Sequence, residues 1–244
     1  MLILAIDTAL DACAAGVLDT KAGGLIARES LPMKRGHAEA LMPLIARVID
    51  QAKVDFAALD RIAVTTGPGS FTGLRVGLSA ARGIALAAAK PVVGLTTLTA
   101  YAAAVVSESG QQPIIAAVDA RHDQVYFQAV SGSGGSLIRP RIGSISEALE
   151  AARFGAPLLV GNAAKILGDR WPASAPPPVL IDPQPAPDIG WVAWVGAAVD
   201  PDSAPARPYY FRAPDAKPQT DPLQIDQRTP IVFLAKVCQQ SLPL

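Results

Sequence analysis

The stretch IIAAVD, Ile114–Asp119, repeats the run ILAID, Ile3–Asp7, near the start of the chain. Both runs are short and apolar and end in an aspartate, which is typical of a buried strand with a polar residue at its end. A second strand pattern is under way six residues after each aspartate, at Cys13 in one copy and at Val125 in the other. The matching aspartate and the matching spacing predict a duplicated α/β unit.

The elements around these runs follow one order, which is three strands, then helix, strand, helix, strand and helix. In the first copy we expect strands Leu2–Asp7, Cys13–Leu18, Leu25–Leu31, Arg61–Thr66 and Pro91–Leu95, and helices Gly36–Ala52, Phe71–Ala89 and Thr97–Val106. In the second copy we expect strands Ile114–Asp119, Leu137–Ile142 and Pro157–Gly161, and helices Ser146–Arg153, Asn162–Leu167 and Asp188–Val199. The last of these helices is expected to be amphipathic, and Pro43 should kink the first helix or mark its first turn.

The second copy is interrupted by proline. Fifteen of the 22 prolines lie in Pro172–Pro243, where sustained helix or central strand is disfavoured. We therefore expect an N-terminal lobe over residues 1–106, a partly degenerate C-terminal lobe over 107–219 and an unassigned tail over 220–244.

Composition narrows the class of protein. The chain has 21 basic and 21 acidic residues, so its charge gives no reason for tight, unaided binding to nucleic acid or to an anionic membrane. The two cysteines lie far apart and form neither a disulfide framework nor a zinc pattern. No signal-peptide pattern begins the chain, and a cytoplasmic protein is the expectation.

The glycine-rich run TTGPGSFTG, Thr65–Gly73, lies between a predicted strand and a predicted helix. No lysine follows it as in a P-loop, Thr72 occupies the third glycine of the dinucleotide fingerprint, and Ser70 lacks the flanking glycines of a nucleophile elbow. A tight turn with Ser70 as the helix cap is the favoured interpretation. An anion held by the helix start remains the alternative.

Small residues follow at intervals of four. Gly73, Gly77 and Ala81 share one face of the predicted helix, although helical glycine costs about 0.5–1 kcal/mol relative to alanine. Close approach of another backbone would offset that cost. Spacing leaves open whether this neighbour is a partner helix or the chain's own sheet.

Asp7 and Thr8 at the first strand end, with Asp119 at the matching end, could coordinate a magnesium nucleotide between two lobes. An Asx-turn after each strand is the alternative and is at least as frequent. His37 and His122 have no second histidine at metal-ligand spacing; His37 is expected to be a surface or capping residue, and His122 is expected to be solvated in its turn.

Four segments together carry a family resemblance: ILAIDTA (3–9), RGHAEALMP (35–43), TTGPGSFTGLRVGLSAARGIALAAAKPVVGLTTL (65–98) and AAVDARHDQVYFQ (116–128). They resemble the TsaB (YeaZ) family, whose members take part in forming threonylcarbamoyladenosine in bacterial tRNA. The resemblance implies a two-lobed fold of the actin, sugar-kinase and heat-shock-ATPase type, built from a duplicated ribonuclease-H-like unit.

The same resemblance implies a non-catalytic subunit. In the catalytic paralogue TsaD, an H-x-x-x-H pair binds the active-site metal, whereas Thr97 and Tyr101 stand at those places here. Threonine and tyrosine do not replace two imidazoles on iron or zinc. We therefore expect no cofactor of this chain's own, and the family places ATP and a divalent metal in TsaD.

The implied partners are TsaD in a heterodimer, TsaE, and a second copy of the chain when TsaD is absent, with tRNA bound only through the complex. Helices 36–52 and 71–89 would form the contact, and Gly77→Leu should weaken association but leave the monomer folded. The residues expected at the interface are Leu41, Ile45, Gly67, Pro68, Gly69, Ser70, Phe71, Gly73, Leu74, Gly77 and Ala81.

Two alternative functions belong to other classes of protein. One is a stand-alone kinase or ATPase that uses Asp7 and Asp119 around magnesium ATP, and weak nucleotide binding by the isolated chain would argue against it. The other, an M22-type peptidase, has no metal pair or nucleophile here to support it.

Overall fold

A computed structural model describes residues 1–106 and 109–211. The strands are β1 Leu2–Asp7, β2 Ala12–Asp19, β3 Gly24–Pro32, β4 Arg61–Gly67, β5 Val92–Thr96, β6 Ile114–Asp119, β7 Gln124–Val130, β8 Ser136–Ser144, β9 Leu158–Val160 and β10 Leu180–Asp182. The α-helices are α1 His37–Ala52, α2 Phe71–Ala88, α3 Thr97–Val105, α4 Ile145–Leu149, α5 Ala164–Asp169 and α6 Ile189–Ala198. The predicted tail 220–244 lies outside the described residues, and the predicted lobe boundary at 106/107 stays a prediction.

The two halves have the same topology. The first sheet has the order β3-β2-β1-β4-β5 and the second the order β8-β7-β6-β9-β10. In each sheet the first three strands of the copy pair antiparallel, and the last two join in parallel. The predicted duplication is therefore confirmed.

Both faces of the first sheet are covered by helices. On one face α1 and α2 bury Leu44, Val48 and Leu78 against Ile62. On the opposite face α6 packs against β1, β2 and β4 and also contacts α3. A strand covered on both sides is expected to be apolar at every position, which is why β1 reads as a continuous apolar run.

Several element details differ from the expectations. The last helix, α6, is apolar on all sides rather than amphipathic, because it is packed between the sheet and α3. Pro43 lies inside α1, beyond its first turn, with an exposed ring. The single helix expected over Ser146–Arg153 begins earlier, with a capping box at Ser144, and gives way after Leu149 to a 3-10 turn over Glu150–Phe154.

The proline-rich region forms only short, edge structure. The strand β10 lies at the edge of the second sheet, where missing proline N–H groups are tolerated. The predicted cap is confirmed, since the Asp188 carboxylate accepts a bond from Gly190 N at 2.7 Å. Over the ranges 1–106 and 109–211, no helix combines the length and apolarity that crossing a bilayer requires.

Candidate functional site

The glycine run forms a tight strand-to-helix turn. The β4 strand ends at Gly67, whose φ of 108° lies in the left-handed region that favours glycine. The Ser70 hydroxyl then accepts a hydrogen bond from Gly73 N at 3.3 Å and caps α2. Ser70 N itself donates to the Ala9 carbonyl at 2.7 Å, which ties the turn to the end of β1. The geometry is that of the structural cap favoured from the sequence.

The small-residue face of α2 points into the chain. A Cβ on Gly69 or Gly73 would lie within 3.0 Å of the Ala9 and Thr8 carbonyl groups, respectively. A Cβ on Gly77 would lie equally close to Thr8 Oγ1. The close neighbour is therefore the β1 strand end of the same protein. The expectation that this face meets a partner helix is wrong, because the space is filled from within.

Most other residues expected at the interface are also buried. Leu41, Ile45, Leu74 and Ala81 are 0–2% exposed and belong to the chain's own core. The turn residues Gly67 and Pro68 are buried as well, Gly69 is half-buried, and only Ser70 and Phe71 are exposed. Helical periodicity located the apolar face correctly, but that face packs on the sheet. The contact surface assigned to the buried residues is therefore corrected.

A different surface of the same helices is apolar and open. Met42 is 50% exposed, Phe71 48% and Leu86 85%. Between the helices lies a groove of about 580 Å³, lined by Met42, Phe56, Ala57, Ala80, Gly83, Ile84, Ala87 and Ala88. We call Met42, Leu86 and this groove the outer helix face. Sequence reasoning missed this surface because it took Leu41 and Ile45 as the contact residues of α1, and both lie in the core.

Asp7 is fully buried. Its Oδ1 accepts hydrogen bonds from the Thr65 hydroxyl at 2.5 Å and from Ala9 N at 3.1 Å, whereas Oδ2 has no partner in the described part of the chain. Burial raises the pKa of the Asp7 carboxyl above its ordinary value, although the bond from Thr65 opposes that rise. The neighbouring Thr8 hydroxyl donates to the Gly73 carbonyl at 2.7 Å. The Thr8 side chain therefore ties the strand end to α2, and the Asp7 carboxylate ties it to β4.

The matching aspartate behaves differently. Asp119 is exposed, and its Oδ1 accepts a bond from Arg121 N at 2.8 Å, which is an Asx-turn. Its own N–H donates to the Asn162 side chain at 2.8 Å. Asp7 is therefore buried in the core, whereas the Asp119 carboxylate bonds within its own turn. This arrangement does not fit a magnesium ion held between two accessible carboxylates.

The cleft between the two sheets is acidic. It measures about 580 Å³, and neither Asp7, Thr8 nor Asp119 lines it. Its charged lining residues are Asp11, Arg28, Glu29, Asp182 and Asp188. Four carboxylates against one guanidinium disfavour a polyphosphate. This cleft therefore does not support the kinase or ATPase alternative.

Thr97 and Tyr101, which replace the histidine pair of the catalytic paralogue, are both buried on α3. The Tyr101 hydroxyl donates to the Gln184 carbonyl at 2.8 Å, and burial raises its pKa. His122 lies exposed in its turn as expected, but His37 is buried with Nε2 3.2 Å from the Leu10 carbonyl oxygen, so its predicted surface position is wrong. No group of three or more metal-ligating side chains occurs within the residues described.

The repeated sheet order defines a two-lobed α/β protein built from a duplicated five-stranded unit, as expected. The family model "TsaD: tRNA N6-adenosine threonylcarbamoyltransferase" matches residues 19–165. The chain is 33% identical over 127 residues to the Escherichia coli tRNA threonylcarbamoyladenosine biosynthesis protein TsaB, covering 52% of this chain and 54% of that protein. It is 31% identical over 216 residues to an uncharacterized Mycobacterium bovis protein, covering 88% and 94%.

A solved structure of YeaZ from Pseudomonas aeruginosa superposes with a TM-score of 0.66 at 25% identity, over 86% of this chain and 99% of that one. A second Pseudomonas aeruginosa protein, described by its similarity to peptidase YEAZ, gives 0.71 at 26% identity, with the same two coverages. The chain belongs to the TsaB/YeaZ family. It spans about half the length of the curated TsaB proteins it matches, at 54% and 53% of the first two.

Proposed function

We propose that this chain is a non-catalytic subunit that binds a TsaD-type transferase and supports threonylcarbamoyladenosine formation next to the anticodon of tRNAs that read codons beginning with A. The family membership supports the pathway, since its relatives are named for that biosynthesis. The observation that carries the docking role is the outer helix face, an open apolar surface on α1 and α2.

Exposed apolar side chains occur singly on most proteins, but a groove rimmed by large apolar residues marks an interaction site. Met42 and Leu86 are apolar side chains. Burying either one completely in a contact contributes about 1.5–3 kcal/mol to the free energy of association. The small residues Ala80, Gly83 and Ala87 line the groove beside Met42 and allow a partner helix to approach closely. A helix pair on the partner fits this surface. A second copy of the chain would use the same face when the transferase is absent.

The catalytic groups are assigned to the partner. Thr97 and Tyr101 offer no imidazole, and the Asp7 carboxylate is sealed from solvent. We therefore assign ATP and the divalent metal to the TsaD-type subunit and none to this chain. A TsaE-type subunit is the further partner in this proposal.

The docking face is tested by multi-angle light scattering on a sizing column, with this chain alone and mixed with TsaD from the same organism. A one-to-one heterodimer is expected. Met42→Asp and Leu86→Asp should weaken association by about tenfold or more, because a carboxylate would be buried in an apolar contact. The control is Val179→Asp, a 57% exposed apolar residue outside both helices.

Separate elution of the two wild-type proteins would contradict the partner role. Unchanged association of the Met42 and Leu86 variants would instead move the contact to another surface. Calorimetric titration of the isolated chain with magnesium ATP is the companion measurement. Weak or absent binding is expected, and stoichiometric binding would favour the ATPase alternative.

A further inference from the structure

Five aromatic rings form two contact groups, which the consecutive residues Tyr209 and Tyr210 join along the chain. The Phe71 and Tyr210 centroids are 5.7 Å apart, those of Tyr209 and Phe211 4.6 Å, and those of Tyr126 and Phe211 5.3 Å. Phe71, Tyr209 and Tyr210 are each 45–48% exposed. We call these five residues the aromatic strip. It starts at the first turn of α2 and ends on β7 of the second sheet.

The segment that carries Tyr209, Tyr210 and Phe211 is held by backbone contacts. Tyr209 N donates to the Thr66 carbonyl at 2.8 Å, at the C-terminal end of β4. The Arg82 guanidinium donates to the Ala206 carbonyl and fixes the same segment against α2. The rings are therefore positioned in advance, and a ligand that uses them would not have to order the chain.

Three exposed arginines lie on the elements that carry these rings. The Arg75 guanidinium lies 3.6 Å from the Phe71 ring centroid, a cation–π contact. Arg121 lies in the β6–β7 turn that leads to Tyr126, and Arg207 lies two residues before Tyr209; both are exposed. None of these three arginines forms an ion pair with another residue in 1–106 or 109–211.

The β6–β7 turn is strained. Arg121, His122 and Asp123 have φ values of 61°, 52° and 55°, three consecutive non-glycine residues in the left-handed region. Each such residue costs about 1–2 kcal/mol. The strain is sustained by Arg121 N bonding to Asp119 and by the Asp123 carboxylate pairing with Arg170 at 2.9 Å. Because Arg121 and His122 are exposed, core packing does not explain why they stand at these positions.

We infer that the aromatic strip binds unpaired bases of single-stranded RNA, with Arg75, Arg121 and Arg207 placed for its phosphates. The inference rests on the proposed function, in which the substrate is an RNA, and adds a direct contact where the sequence predicted binding only through the complex. Unstacked bases stack on aromatic side chains regardless of sequence, and arginine supplies the phosphate contacts. An RNA is favoured over a protein partner because the three exposed arginines have no ion-pair partner in residues 1–106 and 109–211, and because the rings lie outside the outer helix face.

The test is fluorescence anisotropy with a fluorescein-labelled RNA hairpin that has an unpaired loop, compared with the same RNA closed into a full duplex. It is run on the full chain and on its mixture with TsaD. The hairpin should bind better than the duplex. Tyr209→Ala and Tyr210→Ala should each weaken hairpin binding by about fivefold or more. Arg121→Gln should lower the slope of log affinity against log salt by about one.

Two controls keep the result specific. Tyr210→Phe preserves the ring and should bind RNA as the wild type does, and Val179→Ala removes an exposed apolar group elsewhere. Equal binding of hairpin and duplex, or unchanged binding by both alanine variants, would overturn the inference. Alanine variants that lose TsaD association but keep RNA binding would identify a protein contact instead. If TsaD never associates, the isolated chain still decides the RNA question.

Discussion

Gly77→Ala should destabilise the folded chain although it replaces a helical glycine with the best helix former. The new Cβ would lie within 3.0 Å of Thr8 Oγ1 and 3.6 Å from Val64 Cγ2. Thr8 cannot move without breaking its bond to the Gly73 carbonyl, which contributes about 1 kcal/mol, and overpacking adds about 1–3 kcal/mol. The higher helix propensity of alanine offsets about 1 kcal/mol of this loss in stability. We expect a net loss of about 1–3 kcal/mol in the free energy of unfolding.

The measurement is urea unfolding followed by circular dichroism, and Gly83→Ala on the same helix is the matched control. Gly83 is exposed, and no atom lies within 4 Å of the position that its new methyl group would take, so that variant should gain about 0.5–1 kcal/mol. In a Thr8→Ala background the Gly77→Ala loss should shrink, because the obstructing hydroxyl is gone. Equal stability of Gly77→Ala and Gly83→Ala would refute the packing argument. Loss of TsaD association without loss of stability would restore the interface role.

Two further predictions concern a buried carboxyl and a helix end. Because burial raises the pKa of Asp7 above 3.8, its contribution to stability is fully present below that pH and is lost as pH rises through the folded pKa. Relative to Asp7→Asn, the wild type should therefore lose stability as pH rises above the ordinary carboxyl range, and urea midpoints of the two proteins that stay parallel across the pH series would exclude the shift. Ala89 ends α2 with φ 52°, so Ala89→Gly should raise the free energy of unfolding by about 1 kcal/mol; a fall in the thermal midpoint would contradict this.

The fold was largely predictable because its signals are local and repeated. The runs at Ile3–Asp7 and Ile114–Asp119 indicated strand positions, and their common spacing indicated the duplication that the two sheet orders confirm. The elements that differed are those where tertiary contacts decide. The α6 sequence has no polar face, and its burial between a sheet and a helix could not be seen from periodicity alone.

The candidate surface was harder to predict than the fold. Periodicity identifies an apolar helix face but does not say whether the chain's own sheet or a partner covers it. Leu41 and Ile45 were therefore expected at a partner interface, whereas they are buried in the core. Gly73 and Gly77 left the same question open, because small residues indicate that another element lies close but not which element it is. That neighbour is Thr8, which is more than 60 residues away along the chain. Contacts at this sequence separation leave no local pattern, and only the three-dimensional structure reveals them.

The two strand-end aspartates show why a repeated topology need not carry a repeated site. In both copies the aspartate ends the first strand of its sheet, yet Asp7 is fully buried and bonded by Thr65, whereas Asp119 is exposed at its own turn. The close packing of α2 on the neighbouring Thr8 depends on Gly73 and Gly77, because any side chain there would hold α2 away from β1. The same glycines that close the strand end also set how α2 lies on the sheet, and therefore which residues it turns outward. The outer helix face is thus a consequence of that internal packing, and a variant that loosens Thr8 from α2 should alter both.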